Sequence, residues 1–310
     1  MILIAKRSSD DIDQKIFLSP ASSDAIIEKT CQRYWSLFKS IRINPSASLS
    51  LLSFYNHCDP IIQIEILFDS SCGLVALLMC LKSITKIEID LPEILERAKS
   101  HGYTKFGEMF SVLIFDSDFS AENMSNFINK EFLLRSELKS DTERSMLTIV
   151  KHLCQGLPIL IPYDADANYE PCMKEGSRAH WAILNGFCIL SEVEKDVLER
   201  NQPPSLIKQT DLDNELQLFE ILDEDHHQWR KIYHYIKRFL TLDKLFVYAR
   251  QGRSRHLQIW SFKKLMQSNQ NLKKVSSKIL NDPERSEMIY PQDGRIDKTL
   301  ANNFILIFRD

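Results

Sequence analysis

The apolar segment from Leu74 to Leu81 constrains this chain more than any other stretch, because it has no polar face at helical spacing. A helix that is hydrophobic all round has to be enclosed on every side, so the fold must be built in layers about it. Upstream, Ile61 to Phe68 is an apolar run rich in β-branched residues, followed by the turn-formers Asp69, Ser70 and Ser71. This order predicts an extended segment, a cap and a buried helix that starts at Cys72. The apolar run is too short to span a bilayer, and the opening MILIAKRSSDD soon turns polar. We therefore expect a cytoplasmic protein with no membrane contact.

The remaining pattern places helices early and strands late. A helix is predicted from Asp24 to Ile41, between the Ser-rich turns SPASSD and NPSASLS, and another over Leu91–Lys99. The box Ser140-x-x-Glu143 opens a third helix that Gly156 closes. LPILIPY and HWAILNGFCIL read as buried strands joined by the polar loop DADANYEPCMKEGSR, whose last residues, Gly176 to Ala179, read as flexible. From Ser191 to Asp225 the composition is polar and irregular, and Trp229 to Leu240 then has amphipathic helical spacing. LFVYAR, HLQIWSF and FILIF resume the strand pattern, with a helix near Lys263–Asn269. The expected class is α+β, with the helical part packed on an antiparallel sheet. Residues 1–58 form an extension packing on a domain of residues 59–310, which carries an insertion near 191–243.

A formal net charge of −3 leaves no overall basic footprint, so nucleic acid is not an expected partner. The seven cysteines are an odd number without CxxC spacing, which favours free thiols in a reducing compartment over disulfides or zinc. Asp164, Asp166, Asn168 and Glu175 stand at positions one, three, five and twelve of a calcium loop, but Tyr169 occupies the sixth, which needs glycine. No metal site is expected.

Cys72 is the cysteine with a route to chemistry, since oriented N–H groups and the positive end of the dipole stabilise a thiolate in a helix's first turn. His180 begins an apolar strand, and a nucleophile on a helix start followed by a histidine on a strand start is a peptidase order. Gln251, just after LFVYAR, has a carbonyl able to orient the imidazole. Each has a bland alternative: a buried cysteine as core filler, a hydrogen-bonded core histidine, a solvent-facing turn glutamine. The basic cluster Arg250, Arg253, Arg255 and His256 is either a solvated turn or a surface that steers an acidic substrate.

FDSSCGLVALLMCL, GYTKFGEMFSV, LPILIPYDADANYEPC, RAHWAIL and RQGRSRHLQIWSFKKLMQSNQNL occur in this order from about Cys72 to Leu272, and together they resemble the actin maturation proteases. The resemblance implies a papain-like cysteine aminopeptidase, related to bacteriocin-leader peptidases, that needs no metal or cofactor. It implies removal of the acetylated first residue, Met or Cys, of immature actin. Cys72 matches the nucleophile and His180 the histidine, and Gln251 falls where the bacteriocin-leader peptidases place the triad acid. Two departures stand out. No Gln lies among residues 67–71 to help form an oxyanion hole, and residues 1–58 hold only Pro20 and Pro45, so the proline-rich profilin-binding segment of some relatives is not expected. The missing Gln and the unusual Gln251 leave open a catalytically weak or inactive relative that acts as an actin-binding module. An acyltransferase with the same Cys-His chemistry is a further alternative.

Overall fold

The computed structural model describes residues 23–41, 49–61, 72–85, 87–101, 120–140, 145–191, 207–213, 216–221, 227–274 and 294–309. The predicted first helix is broken at Tyr34 into α1 (Ser23–Arg33) and α2 (Trp35–Ile41). Strand β1 (Leu49–Tyr55) follows. The expected extended segment Ile61–Phe68 and the cap before Cys72 fall, after Ile61, outside the described residues, as does GYTKFGEMFSV.

Helix α3 (Cys72–Ile84) is buried at every position from Cys72 to Leu81. Each large apolar side chain enclosed in this way contributes about 1.5–3 kcal/mol, which makes α3 the pillar of one layer. In α4 (Leu91–Ser100), Asp90 caps the helix by accepting from the Glu93 N–H at 2.9 Å, and Ile94, Leu95 and Ala98 turn inward. Helix α5 (Ala121–Glu131) and strand β2 (Ser136–Lys139) come next. Helix α6 (Ser145–Cys154) follows; most of its expected capping box lies outside the described residues.

Strands β3 (Ile159–Asp164) and β4 (Ala179–Ser191) form the centre of the sheet. The stretch expected to be irregular contains β5 (Ile207–Asp213) and β6 (Leu216–Ile221), an antiparallel pair that extends the sheet. Asp211, Asp213 and Glu220 had obscured their alternation. Then come α7 (Trp229–Ile236), β7 (Leu245–Arg250), β8 (Gln258–Ser261), α8 (Phe262–Gln270) and β9 (Phe304–Ile307).

The sheet order is β2-β9-β3-β4-β1-β6-β5, with β7 on β4 and β8 on β7. It is mixed, not purely antiparallel as expected, because β1 and β6 run parallel. A parallel neighbour needs a crossover, and the long stretch of chain between β1 and β6 supplies one. Strand β4 pairs with β3 over Ala179–Leu184 and with β1 over Gly186–Ser191, while β7 spans the junction. Since β7 occupies one edge of β4, β3 and β1 must share the other and hand over at a bulge between Leu184 and Gly186. A Cβ on Gly186 would run into the Phe54 carbonyl and stand 2.9 Å from the Tyr55 Cα, so only glycine fits there.

On one face of the sheet, α3, α4 and α5 pack on Leu160, Trp181, Ile183, Ile305 and Ile307. Further along that face, α1 and α2 cover Cys188, Leu190, Phe246 and Tyr248. The opposite face carries α6, α7 and α8 on Ile161, Tyr163, Ala182, Leu184, Val247 and Ala249. No described helix is long and apolar enough to cross a membrane.

Candidate active site

Cys72 is the first residue of α3, and the residue is only 5% exposed. Its neighbour Gly73 lies against the sheet, where a Cβ would stand 3.2 Å from both Trp181 Cδ1 and Met124 Cε. The missing side chain lets the first turn of the helix settle on the indole. His180, half-buried, is the second residue of β4 and pairs across to Tyr163. Its ring centroid is 5.6 Å from that of Tyr169 and 6.4 Å from that of Tyr163. Tyr163 is also within electrostatic reach of Cys72: burial chiefly raises its pKa well above normal, and the thiol adds to the rise. The helix start that carries Cys72 and the strand start that carries His180 therefore lie at one end of the sheet, joined through Gly73 and Trp181.

The loop expected to be flexible before His180 is tied down by a single carboxylate. Asp164, fully buried, accepts from Lys174 N at 2.5 Å, Gly176 N at 3.0 Å and Arg178 N at 3.1 Å. Its backbone is fixed as well, since its N–H donates to Ser268 Oγ at 2.9 Å and its carbonyl accepts from Cys172 N at 2.8 Å. Gly176 has φ +91°, and a Cβ there would stand 2.8 Å from Ile296 Cδ1, which again demands glycine. Asp166 caps its own turn by accepting from Asn168 N and Glu170 N. Sequence reasoning had treated Asp164 only as a possible metal position; a carboxylate closing an apolar strand was the available signal for a buried anchor.

Gln251 follows β7 directly and is 3% exposed, not the solvent-facing turn residue of the bland alternative. Continuing the strand alternation puts it on the face of Ala249, which is also that of Tyr163. Its Oε1 accepts from Arg253 N at 2.6 Å, and its Nε2 has no hydrogen-bond partner among the described residues. The oxygen suited to orient an imidazole is thus already engaged in its own turn.

Burial raises five of the other thiols. It pushes Cys31 and Cys58 up to about 12 and Cys172 to about 11, and it holds Cys80 and Cys188 well above the normal thiol range. Thiols so shifted are poor nucleophiles and serve as packing. Among the histidines, His152 is structural: its Nε2–H donates to the carbonyls of Ile307 at 3.0 Å and Pro158 at 3.2 Å.

The described residues define a mixed α/β protein with a thiol opening its enclosed helix and a histidine opening its central strand, both at one end of the sheet. Residues 62–188 match the sequence model of the family described as actin maturation protease-like, C-terminal domain. An actin maturation protease of Danio rerio is 30% identical over 302 residues, covering 96% of this chain and 88% of its own. One from Xenopus tropicalis is 31% identical over 265 residues, covering 81% of this chain and 73% of its own. The Mus musculus protein is 32% identical over 202 residues, 65% of this chain and 50% of its own. No solved structure matches the chain. The chain belongs to the actin maturation protease family.

Proposed function

We propose that this protein is a papain-like cysteine aminopeptidase of the cytoplasm that removes the N-acetylated first residue, Met or Cys, of immature actin. The observation that carries the reading is the packing of Gly73, beside Cys72, on Trp181, beside His180, in a chain of this family. The Cys72 thiolate attacks the carbonyl of the first residue. His180 protonates the departing amine of the second, and water then hydrolyses the thioester to release the acetylated amino acid. The backbone N–H of Cys72, at the positive end of α3, donates to the oxyanion. Gln251 orients the imidazole once its Oε1 turns from Arg253.

Incubating an acetylated actin N-terminal peptide, and whole immature actin, with the protein and with Cys72→Ala tests this directly by mass spectrometry. Loss of one acetyl-amino acid only with intact Cys72 is the expected result; an unchanged mass with both proteins sinks it. A second reading, an actin-binding relative with weak or no catalysis, is favoured by the engagement of Gln251 Oε1 with Arg253 N. It predicts saturable binding of the peptide with no change of mass.

A further inference from the structure

Tyr169, in the loop between β3 and β4, lies in the left-handed region with φ +61°. A bulky side chain is sterically penalised there and keeps such a conformation only where its surroundings over-determine the backbone. Here they do. The Asp166 carboxylate accepts from both amides that flank the tyrosine, Asn168 N at 2.8 Å and Glu170 N at 2.9 Å. Tyr169 N donates to the Asp166 carbonyl at 3.2 Å, and the Tyr163 hydroxyl donates to the Tyr169 carbonyl at 3.0 Å. From β8, Gln258 Nε2 donates to the Asn168 carbonyl at 3.3 Å.

Gly or Asn would occupy this turn with less strain, so the turn alone does not account for an aromatic ring. The contacts of the ring do. It packs, half-buried, on the cluster that contains Tyr163 and Trp260. Two residues of the segment that opens β4 close on it. The Arg178 guanidinium stands over the ring, 5.7 Å from its centroid, and the His180 imidazole meets it edge to face at 5.6 Å, with the planes 66° apart. Tyr163 also meets the imidazole, at 6.4 Å and tilted by 39°. Of these two tyrosines Tyr163 is fixed by its strand, whereas Tyr169 is set against His180 by the hydrogen bonds of its turn.

We propose that Tyr169 is a positioning residue for His180, its ring fixing the imidazole in the orientation that proton transfer to the departing amine requires. This rests on the peptidase reading, which it deepens by naming what holds the proton donor in place. The strain separates this role from plain packing. Tyr169→Gly deletes the ring but relaxes the backbone, so lost packing is offset in stability while the lost contact with His180 is not offset in catalysis.

The test compares Tyr169→Gly, Tyr169→Leu and Tyr169→Phe in the full chain. With an acetylated actin N-terminal peptide as substrate, Tyr169→Gly is expected to lower kcat by about 10- to 100-fold and to change KM little, the signature of a misplaced catalytic group. Its urea midpoint should stay close to that of the parent. Tyr169→Phe, which keeps the ring, should retain most of kcat; Tyr169→Leu, which keeps bulk without a ring, should not. A readout free of catalysis comes from nuclear magnetic resonance of isotope-labelled histidine. The His180 imidazole signal, assigned by its loss in His180→Gln, should be displaced in Tyr169→Gly and Tyr169→Leu and stay near its parent position in Tyr169→Phe. An unmoved signal, or a kcat no lower in Tyr169→Gly than in Tyr169→Phe, overturns the proposal; should Tyr169→Gly not fold, the contrast of Tyr169→Leu with Tyr169→Phe decides. Turnover with an unmoved imidazole signal refutes the role of Tyr169 and spares the peptidase, whereas a displaced signal in a chain whose parent cleaves nothing does the reverse.

Discussion

Gly73 rests on the edge of the Trp181 indole, so closely that an added Cβ would lie 3.2 Å from Cδ1. Trp181 is fully buried and cannot swing aside. Gly73→Ala should therefore gain a little helix propensity but lose more to overpacking, for a net destabilisation of about 1–2 kcal/mol. Chemical denaturation of the two proteins checks the sign. A more stable variant would show that the helix start can shift without cost.

Thiol labelling should single out Cys72. At neutral pH and substoichiometric iodoacetamide, peptide mapping is expected to find Cys72 alkylated ahead of Cys31, Cys58, Cys80, Cys172 and Cys188, whose thiols burial keeps protonated. Labelling led by any of those five would contradict the helix-start argument.

Asp164→Asn should be among the most destabilising single changes in the chain. It replaces one acceptor oxygen with an amide that cannot accept, leaving at least one of the Lys174, Gly176 and Arg178 N–H groups unsatisfied in the interior. A loss of about 2–4 kcal/mol is expected in urea denaturation. Peptidase activity should fall by more than the unfolded fraction explains, because this loop leads into His180.

Acid should weaken the fold through His152. Burial pushes this imidazole down to about 4, against the partial opposition of its bonds to Ile307 and Pro158, whereas an unfolded histidine titrates near 6.5. Between those values the unfolded chain binds the extra proton, so stability falls as pH drops through that window and levels off below it. The loss amounts to about 3 kcal/mol. His152→Gln should flatten the slope between pH 6.5 and 4 in denaturation curves; an unchanged slope would assign it to other groups.

Strong, local signals made much of the fold legible. The all-apolar run from Leu74 marked α3, and LPILIPY, HWAILNGFCIL and LFVYAR marked three neighbouring strands. Helix α5 was missed although Ser120 caps it and Ala121, Met124, Phe127 and Ile128 turn inward, because the polar residues between them dilute the period. Strands β5 and β6 were missed for a similar reason, and the parallel pairing of β1 with β6 had no local signature, being decided by where two distant edges meet. At the candidate site, Cys72 and His180 could be singled out from helix and strand starts. The burial of Gln251 could not, because turn composition reads as surface while its enclosure comes from packing remote in sequence.

Strand β9 follows every other described strand in the chain yet lies inside the sheet, between β2 and β3. A ribosome delivers β3 and β4 long before it delivers β9, so until β9 emerges β3 offers a bare apolar edge to any passing strand. Even with the candidate site residues already made, the half of the sheet beneath them stays open until Phe304–Ile307 emerges and His152 bonds to the Ile307 carbonyl. Arrival of β9 and closure of this half of the sheet are in this way a single event, and the nascent protein has reason to need a chaperone until then.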